Sequence, residues 1–502
     1  LSGLKALCEV LPTRKHTISL DLSNCGLGVA EVAELARAVF AGAAVARLCL
    51  AENSLIRGRD VKSQEEYDQY GEYIPDYAGF TPLCESLKGT KITELNMSQC
   101  GLDASATSSL ADAIKFMAAL NEMNVAFNQI GSDGGIALRD ALKTSNLKFL
   151  AIGKMYTSKG GTVITGSQLT TGVTLSAGGR LGELIKGPDS SFDVKLKWAD
   201  DGKESNHMKL HSLDGEPLKL PLASQFDGEH LDLAHQKLDP GHIMILSWWL
   251  TTEFSAAVTS MNCLHNPLGE AVHIIIKVFE ETPRLRTLCG FEEGVEQIDW
   301  SNSKKGPVEV ALLAADLKAG RAIAAVASLR CGNNPGMVGK LDKYGDLETP
   351  DAHAEVFKEL TDSLKTSQVT EADFSSCGIG PVALGHLGEW VREATAALNS
   401  LTLDSNGIFG RLDFGYSNPT REPDKFVEQC EAFFASLKTS NINTLSLKLT
   451  GMGPVALQKL ATSLPAALTK IDIRGADIDE YLIQFLADLE DVAPEGCQVL
   501  WE

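Results

Sequence analysis

The sequence predicts an α/β solenoid: parallel strands inside, helices outside, curved into a horseshoe and interrupted by a small antiparallel β-barrel. Three observations carry that expectation. The pattern Φ-x-Φ-x-x-(Asn/Cys)-x-Φ, with Φ apolar, occurs as Leu95-Asn-Met97-Ser-Gln-Cys100-Gly-Leu102 and again 28 residues later from Met123 to Ile130. Between such copies lies an amphipathic run of helical period. Residues 153–217 break the rhythm and instead alternate apolar and polar positions between turn signals.

Each element follows from the pattern. The alternating apolar pair forms a short strand; the Asn or Cys turns the chain inward, and the helical run returns it. Asn suits that turn because its amide satisfies backbone groups of neighbouring turns, and Cys fits the same narrow slot with a weak S–H donor. Copies begin at Leu20, Leu48, Leu95, Met123, Leu231, Met261, Ala372 and Leu401, with degenerate ones at Leu445 and Ile471 and weaker ones at Leu150, Ile298 and Leu329. Loss of the Asn/Cys at Thr450 and Ala476 is what terminal capping repeats show. The stretch Leu285 to Leu317 departs from the spacing and holds an extra loop.

These recurring motifs resemble the leucine-rich-repeat family, in its ribonuclease-inhibitor-like class and in the style of algal and other protist members. Inside 153–217, Thr162-Val-Ile164, Val173-Thr-Leu175, Leu181 to Ile185, Val194 to Trp198 and Met208-Lys-Leu210 read as about five strands. The run Arg180-Leu-Gly-Glu-Leu … Gly187-Pro-Asp189 … Asp193-Val-Lys-Leu-Lys-Trp198 is similar to small SH3-like barrels of the Mib/HERC2 type. The expected domains are N-terminal repeats over 1–152, the barrel over 153–217, and C-terminal repeats with their caps over 218–502.

The chain of 502 residues is 44% hydrophobic and 22% charged, ordinary for a globular protein. Its 45 basic and 66 acidic residues leave a net charge of −21, which repels phosphate backbones and argues against nucleic acid. No run reaches the roughly 18 apolar residues of a membrane helix, so direct membrane insertion is not expected. Eleven scattered cysteines without a C-x-x-C pair fit reduced thiols, and hence an intracellular, reducing compartment, most simply the cytoplasm. The chain starts at Leu1, so a preceding targeting segment is left open.

Two surfaces are candidates for a partner. Between the apolar residues of each strand lie the positions of the concave face, which include Asp21, Asp232, Asp299, Asp373, Asp404 and Asp472. They would cradle a basic segment but, with Arg474 among them, include hardly any of the Trp, Tyr and Arg typical of binding hot spots. The spacing also stretches to 47, 43 and 44 residues in three repeats, each time just after the Asn turn. These edge loops carry Arg59, Tyr67, Tyr70, Tyr73, Tyr77, Lys340, Tyr344, Arg411, Phe414 and Tyr416. Tyr with Arg or Lys on a loop is a recognition chemistry. The plainer reading is that each loop folds back over its own repeat.

His235 and His265 share one repeat slot, so their rings are expected to stack. With Cys263, His207 and His211 they would need to converge to bind zinc, and the spacing shows no convergence. Trp198, with Tyr156 and Phe192, reads as core before it reads as an aromatic cage. Asp189, Asp193, Asp200, Asp201 and Glu204 read as turn residues outside any EF-hand register. No catalytic motif, cofactor or metal is called for. The expected function is a non-catalytic protein-interaction scaffold, able to serve as a subunit of a larger assembly, whose partner is a protein with a basic segment. The alternative is a regulatory or ubiquitin-pathway adaptor whose barrel recognises a peptide or ligand.

Overall fold

The structure, a computed structural model, describes residues 2–40, 44–57, 74–189, 191–342, 347–394, 396–412, 420–476 and 489–501. It is a mixed α/β chain of two compact units, Leu1–Leu285 and Arg286–Glu502.

In the first unit the parallel strands are β1 (Ile18–Asp21), β2 (Val45–Cys49), β3 (Glu94–Asn96), β4 (Glu122–Asn124) and the start of β5 (Phe149–Thr157). The register aligns Leu20, Leu48, Leu95, Met123 and Leu150 across the sheet, one from each repeat. Repeats of unequal length thus present the same apolar residue to the core, because a one-residue slip would turn each strand over. Helices α1 (Ser2–Val10), α2 (Val29–Phe40), α3 (Phe80–Leu87), α4 (Ala104–Ile114) and α5 (Gly131–Leu142) alternate with the strands and pack on one another.

Past Thr157 the chain leaves the repeat. The short β6 (Val163–Ile164) pairs with the end of β5. Strands β7 (Thr174–Ala177), β8 (Arg180–Lys186), β9 (Asp193–Trp198) and β10 (Met208–Lys209) then form a four-stranded antiparallel sheet. Leu175, Leu184, Val194, Leu196, Leu210 and Leu213 bury a separate core there with Tyr156. Strand β11 (Gly215–Pro221) returns antiparallel along β5 and rejoins the parallel sheet. Its prolines, Pro217 and Pro221, are tolerated because β11 is an edge strand. Strands β12 (His230–Asp232) and β13 (Ser260–Asn262) resume the parallel pattern, with α6 (Pro240–Leu250) and α7 (Val272–Glu281). An isolated bridge from Ser158 to Leu175 ties the β7 edge to the end of β5, and among the described residues no ladder closes the four strands into a barrel.

The second unit stacks β14 (Gln297–Asp299), β15 (Ser328–Arg330), β18 (Glu371–Asp373), β19 (Ser400–Thr402), β22 (Thr444–Ser446), β23 (Lys470–Asp472) and β24 (Gln498–Leu500) in parallel. Two hairpins interrupt it: β16 (Lys340–Leu341) with β17 (Leu347–Thr349), and β20 (Arg411–Leu412) with β21 (Thr420–Glu422). Its helices are α8 (Pro307–Ala319), α9 (Ala354–Leu364), α10 (Pro381–Glu393), α11 (Glu431–Lys438) and α12 (Pro454–Ala461). Ile298, Leu329, Ala372, Leu401, Leu445 and Ile471 lie in register, and Val499 of β24 extends the row. The sequence reading stops at Ile471, although Val499 lies one further 28-residue step along.

Asparagine stitches each repeat to the one before. Asn128 accepts from the amides of Cys100 and Leu102, both at 3.0 Å, and donates to the carbonyls of Met97 and Val125 at 2.8 and 2.9 Å. Asn406 makes the same four bonds, to Cys377, Ile379, Phe374 and Leu403. Where Cys fills the slot, its thiol donates backwards: Cys100 to the Leu50 carbonyl at 3.0 Å, Cys377 to that of Cys331 at 3.1 Å. Cys25, in the first copy, donates instead to the Ser23 carbonyl beside it at 3.4 Å and is exposed. All eleven cysteines are free; Cys49 and Cys497 are half-buried and the other eight are buried.

The residue before this slot is left-handed in eleven copies with a side chain there and at Gly475 of the Ile471 copy (φ 75°), the exception being Lys154, which lies inside β5. Asn24, Glu52, Gln99, Phe127, His235, His265, Asn302, Asn333, Ser376, Ser405 and Leu449 all have φ between 50 and 61°. Nothing in the pattern marks this, since glycine occupies none of the eleven positions. Each costs about 1–2 kcal/mol, offset by the bonds of the next side chain.

Candidate functional site

The edge loops are mounted on the repeat that follows them. In both hairpins of the second unit the chain leaves the sheet at a glycine, Gly339 or Gly410, whose backbone lies against Gly378 or Gly451 of the next repeat. A Cβ on Gly378 would stand 2.6 Å from the Gly339 nitrogen, and one on Gly451 2.6 Å from the Gly410 Cα, at φ of 76 and 73°. Glycine is therefore required on both counts.

Each hairpin ends in Pro-Asp. Asp351 accepts from the amides of Gly380, Val382 and Ala383 at 2.8, 2.8 and 3.1 Å, and so caps α10. Asp424 does the same for α12 through Gly453, Val455 and Ala456 at 2.9, 2.7 and 3.0 Å. Both helices begin Gly-Pro and carry no capping side chain of their own. The first loop also ends in Pro-Asp, at Pro75-Asp76, yet α4 has its own cap: Asp103 accepts from Ala106. There the loop supplies a donor instead, and Tyr77 gives its hydroxyl to Asp103 at 2.6 Å. Tyr77 is thus a fastening, half-buried and turned toward the scaffold.

Of the other loop residues, exposed Lys340 pairs with Glu348 across its hairpin at 2.7 Å, and Arg411 is exposed at the start of β20. Arg59, Tyr67, Tyr70, Tyr73, Tyr344, Phe414 and Tyr416 lie outside the described residues.

The aspartates of the strand face end their strands in side-chain turns. Asp21, Asp232, Asp299, Asp373 and Asp472 each accept from the amide two residues on. The Ser23 and Ser301 amides hold the carboxyls of Asp21 and Asp299 below the usual range. Partial burial works against the charge of Asp472, but Arg474 beside it prevails and lowers it. Asn96, Asn124 and Asn262 build the same turn without charge, so the turn does not require the acid.

The face is also less uniformly acidic than the sequence reading has it. Arg330 sits in register between Asp299 and Asp373, Lys448 pairs with Asp404 at 3.0 Å, and Arg474 with Asp472 at 2.7 Å. Arg330 is the residue that reading missed, although the weak copy at Leu329 pointed to it. Asp232 is turned to a different use, binding the amide and hydroxyl of Ser167 in the inserted segment.

The first unit holds a cleft where the return strand β11 passes the strand face. One pocket of about 280 Å³ lies among Asp21, Arg47, Glu94, Asn124, Phe149 and Lys219. A second of about 310 Å³ shares Cys49, Asn96, Asn124 and Pro217 with it and adds Lys154 and His211. Lys154 donates to the His211 carbonyl at 2.8 Å. Burial pushes the Lys154 ammonium down; burial and the nearby Lys154, Lys237 and Lys209 push the His211 imidazole down to about 4, neutral at pH 7. Burial raises the Cys49 thiol and so disfavours its thiolate.

His235 and His265 stack as expected, centroids 4.4 Å apart and planes 3° from parallel. Trp198 is half-buried, with the Arg180 guanidinium 4.3 Å over its ring and held there by Asp200 at 2.7 Å. That cation occupies the face an aromatic cage would offer. Tyr156 lies in the core and Phe192 packs against it. Among the described residues no helix is long and apolar enough to cross a membrane.

No family model matches the chain, and no curated protein does. Among solved structures it is similar to the crystal structure of the Rad7 and Elc1 complex in yeast, at 12% identity over 99% of this chain and 87% of that one. The TM-score is 0.24, too low to carry any property across.

Proposed function

We propose that the chain is a non-catalytic protein-interaction scaffold, a leucine-rich-repeat array of the ribonuclease-inhibitor-like class carrying a small SH3-like inserted domain. The in-register parallel strands and the asparagine stitching support the repeat class; the separate core under β7–β10 supports the inserted domain. One observation supports the binding role above others: both hairpins are fastened to the following repeat by the same two devices, the glycine contact and the Pro-Asp cap. A loop that served only to cover its own repeat would need neither. Such mounting holds Lys340 and Arg411 in fixed places, which lowers the ordering cost of binding.

The partner reads as a protein. The strand-face carboxylates Asp21, Asp299 and Asp373 add charge that their turns do not need and would favour a basic segment. The adaptor reading, in which the inserted domain takes a peptide, is favoured by the cleft beside β11 with its amide-rich wall.

The test is affinity purification of the intact chain from its native source, against a variant with Tyr344, Phe414 and Tyr416 replaced by Ser and a second with Asp299 and Asp373 replaced by Asn. A partner lost only from the first variant supports hairpin recognition. Retention of every partner by both variants would overturn the proposal.

A further inference from the structure

Three ligand-type side chains meet at one corner of the inserted segment, and none of them acts in the proposed scaffold. Asp189 lies in the turn between β8 and β9, Asp193 begins β9, and His207 immediately precedes β10. One donor atom from each lies within 4.8 Å of the other two. In sequence His207 stands 14 residues from Asp193, so no spacing rule pairs them. The antiparallel register does so, placing Met208 opposite Val194 and Lys209 opposite Asp193. His207 is then the diagonal neighbour of Asp193 on one face of the sheet.

The corner is built before any ion arrives. Asp189 accepts from the amides of Ser191 and Asp193 at 2.9 and 3.1 Å, and its own amide donates to the Asp193 carbonyl at 3.1 Å. Both backbone segments are thereby fixed. One oxygen of each carboxylate faces a lysine: Lys186 lies 3.2 Å from Asp189 and Lys209 lies 2.8 Å from Asp193. Both lysines are about half exposed, at 46 and 53%, and exposed pairs of this kind are worth only about 0–1 kcal/mol. Both are free to swing away from the carboxylates on their exposed side.

We propose that Asp189, Asp193 and His207 form a binding site for a divalent transition-metal ion of the Zn²⁺ type. Two carboxylates and one imidazole suit such an ion, whereas Ca²⁺ and Mg²⁺ prefer all-oxygen shells. Three protein ligands leave a fourth position for water or for a side chain of a partner.

The experiment is calorimetric titration of the full chain with Zn²⁺, repeated with Co²⁺ for its visible spectrum. One saturable site per chain is expected, with a Co²⁺ spectrum free of thiolate charge transfer. His207→Ala and Asp193→Asn should each weaken binding at least tenfold, because each removes a ligand. Lys209→Met should tighten it, because it removes the ammonium that competes for Asp193. That opposite sign separates a metal site from a merely structural ion pair. Since His207 is exposed, His207→Ala should fold as the parent does, with circular dichroism as the control. Absence of saturable binding would overturn the proposal. So would undiminished binding by His207→Ala, which places the ion on the cysteines, or Lys209→Met leaving the affinity unchanged.

Discussion

The first unit holds one interruption of the repeat that differs in kind from those of the second. In the first the chain departs through a strand: β5 runs on past its repeat and β11 comes back along it. The next repeat cannot be stitched in the usual way. Its slot holds Gln236, whose longer amide reaches sideways and bonds the Lys154 backbone in both directions, at 2.6 and 3.0 Å. Gly153 must be a glycine for it to fit, as a Cβ there would lie 2.4 Å from the Gln236 oxygen. In the second unit the chain departs after the turn, and Asn334 and Asn406 keep their bonds to the preceding repeat intact. An insertion placed after the turn therefore leaves the ladder whole and needs only a new helix cap. One placed in the strand forces the next repeat to change its residue.

The largest test of this contrast compares Asn406→Ala with Gln236→Ala. The first strands buried amides and carbonyls of two repeats and should cost about 3–4 kcal/mol; the second, with fewer partners, about 1–2. Urea unfolding followed by circular dichroism measures both, and equal losses would break the comparison.

The loop beginning at Thr287 gives the next. Asp316 is buried and accepts from the Thr287 hydroxyl at 2.6 Å and the Leu288 and Cys289 amides at 2.8 and 3.2 Å. Burial outweighs these bonds and pushes its carboxyl up to about 6. A raised folded value favours the protonated form. Its contribution is thus complete below about pH 3.8 and is lost as pH rises through 6, by at most about 3 kcal/mol. Stability measured from pH 4 to 7.5 should carry that downward component, and Asp316→Asn should remove it.

Asp351→Ala and Asp424→Ala should each cost about 1–2 kcal/mol by removing a cap. Hydrogen exchange should quicken in the first turn of α10 or α12 while Asn406 stays stitched. If exchange quickened across the whole unit instead, cap and ladder would not be separable. The smallest effect is expected from Tyr77→Phe, about 1 kcal/mol for one hydrogen bond to a carboxylate, read as a shift in Tm.

Much of this was legible in the residues. The apolar row from Leu20 to Ile471, the breaks in spacing and the five inserted strands are all local patterns, and each appears in the structure. The strand β11 was hidden because Pro217 and Pro221 argue against a strand, although Leu218 and Leu220 alternate as one. The Pro-Asp pair occurs after all three loops, at Pro75-Asp76, Pro350-Asp351 and Pro423-Asp424, and caps a helix at the last two. Their meaning depends on Gly380-Pro381 and Gly453-Pro454, which lie about thirty residues away and become neighbours only once the repeats stack. The corner at Asp189, Asp193 and His207 depends likewise on register, which spacing does not reveal.

The left-handed slot bears on how sequence variation in this protein should be weighed. Its eleven occupants include asparagine, glutamate, phenylalanine, histidine, serine and leucine, so an alignment column at that position would look permissive. None is Val, Ile or Thr. Branching at Cβ makes φ near 55° far costlier. A missense change to valine or isoleucine at Glu52, Gln99 or Ser376 would be scored as mild by exposure, since none of the three is buried. It should nonetheless behave as a core lesion. By the same token, glycine at these positions should be tolerated or even beneficial, the reverse of its usual standing in a regular element.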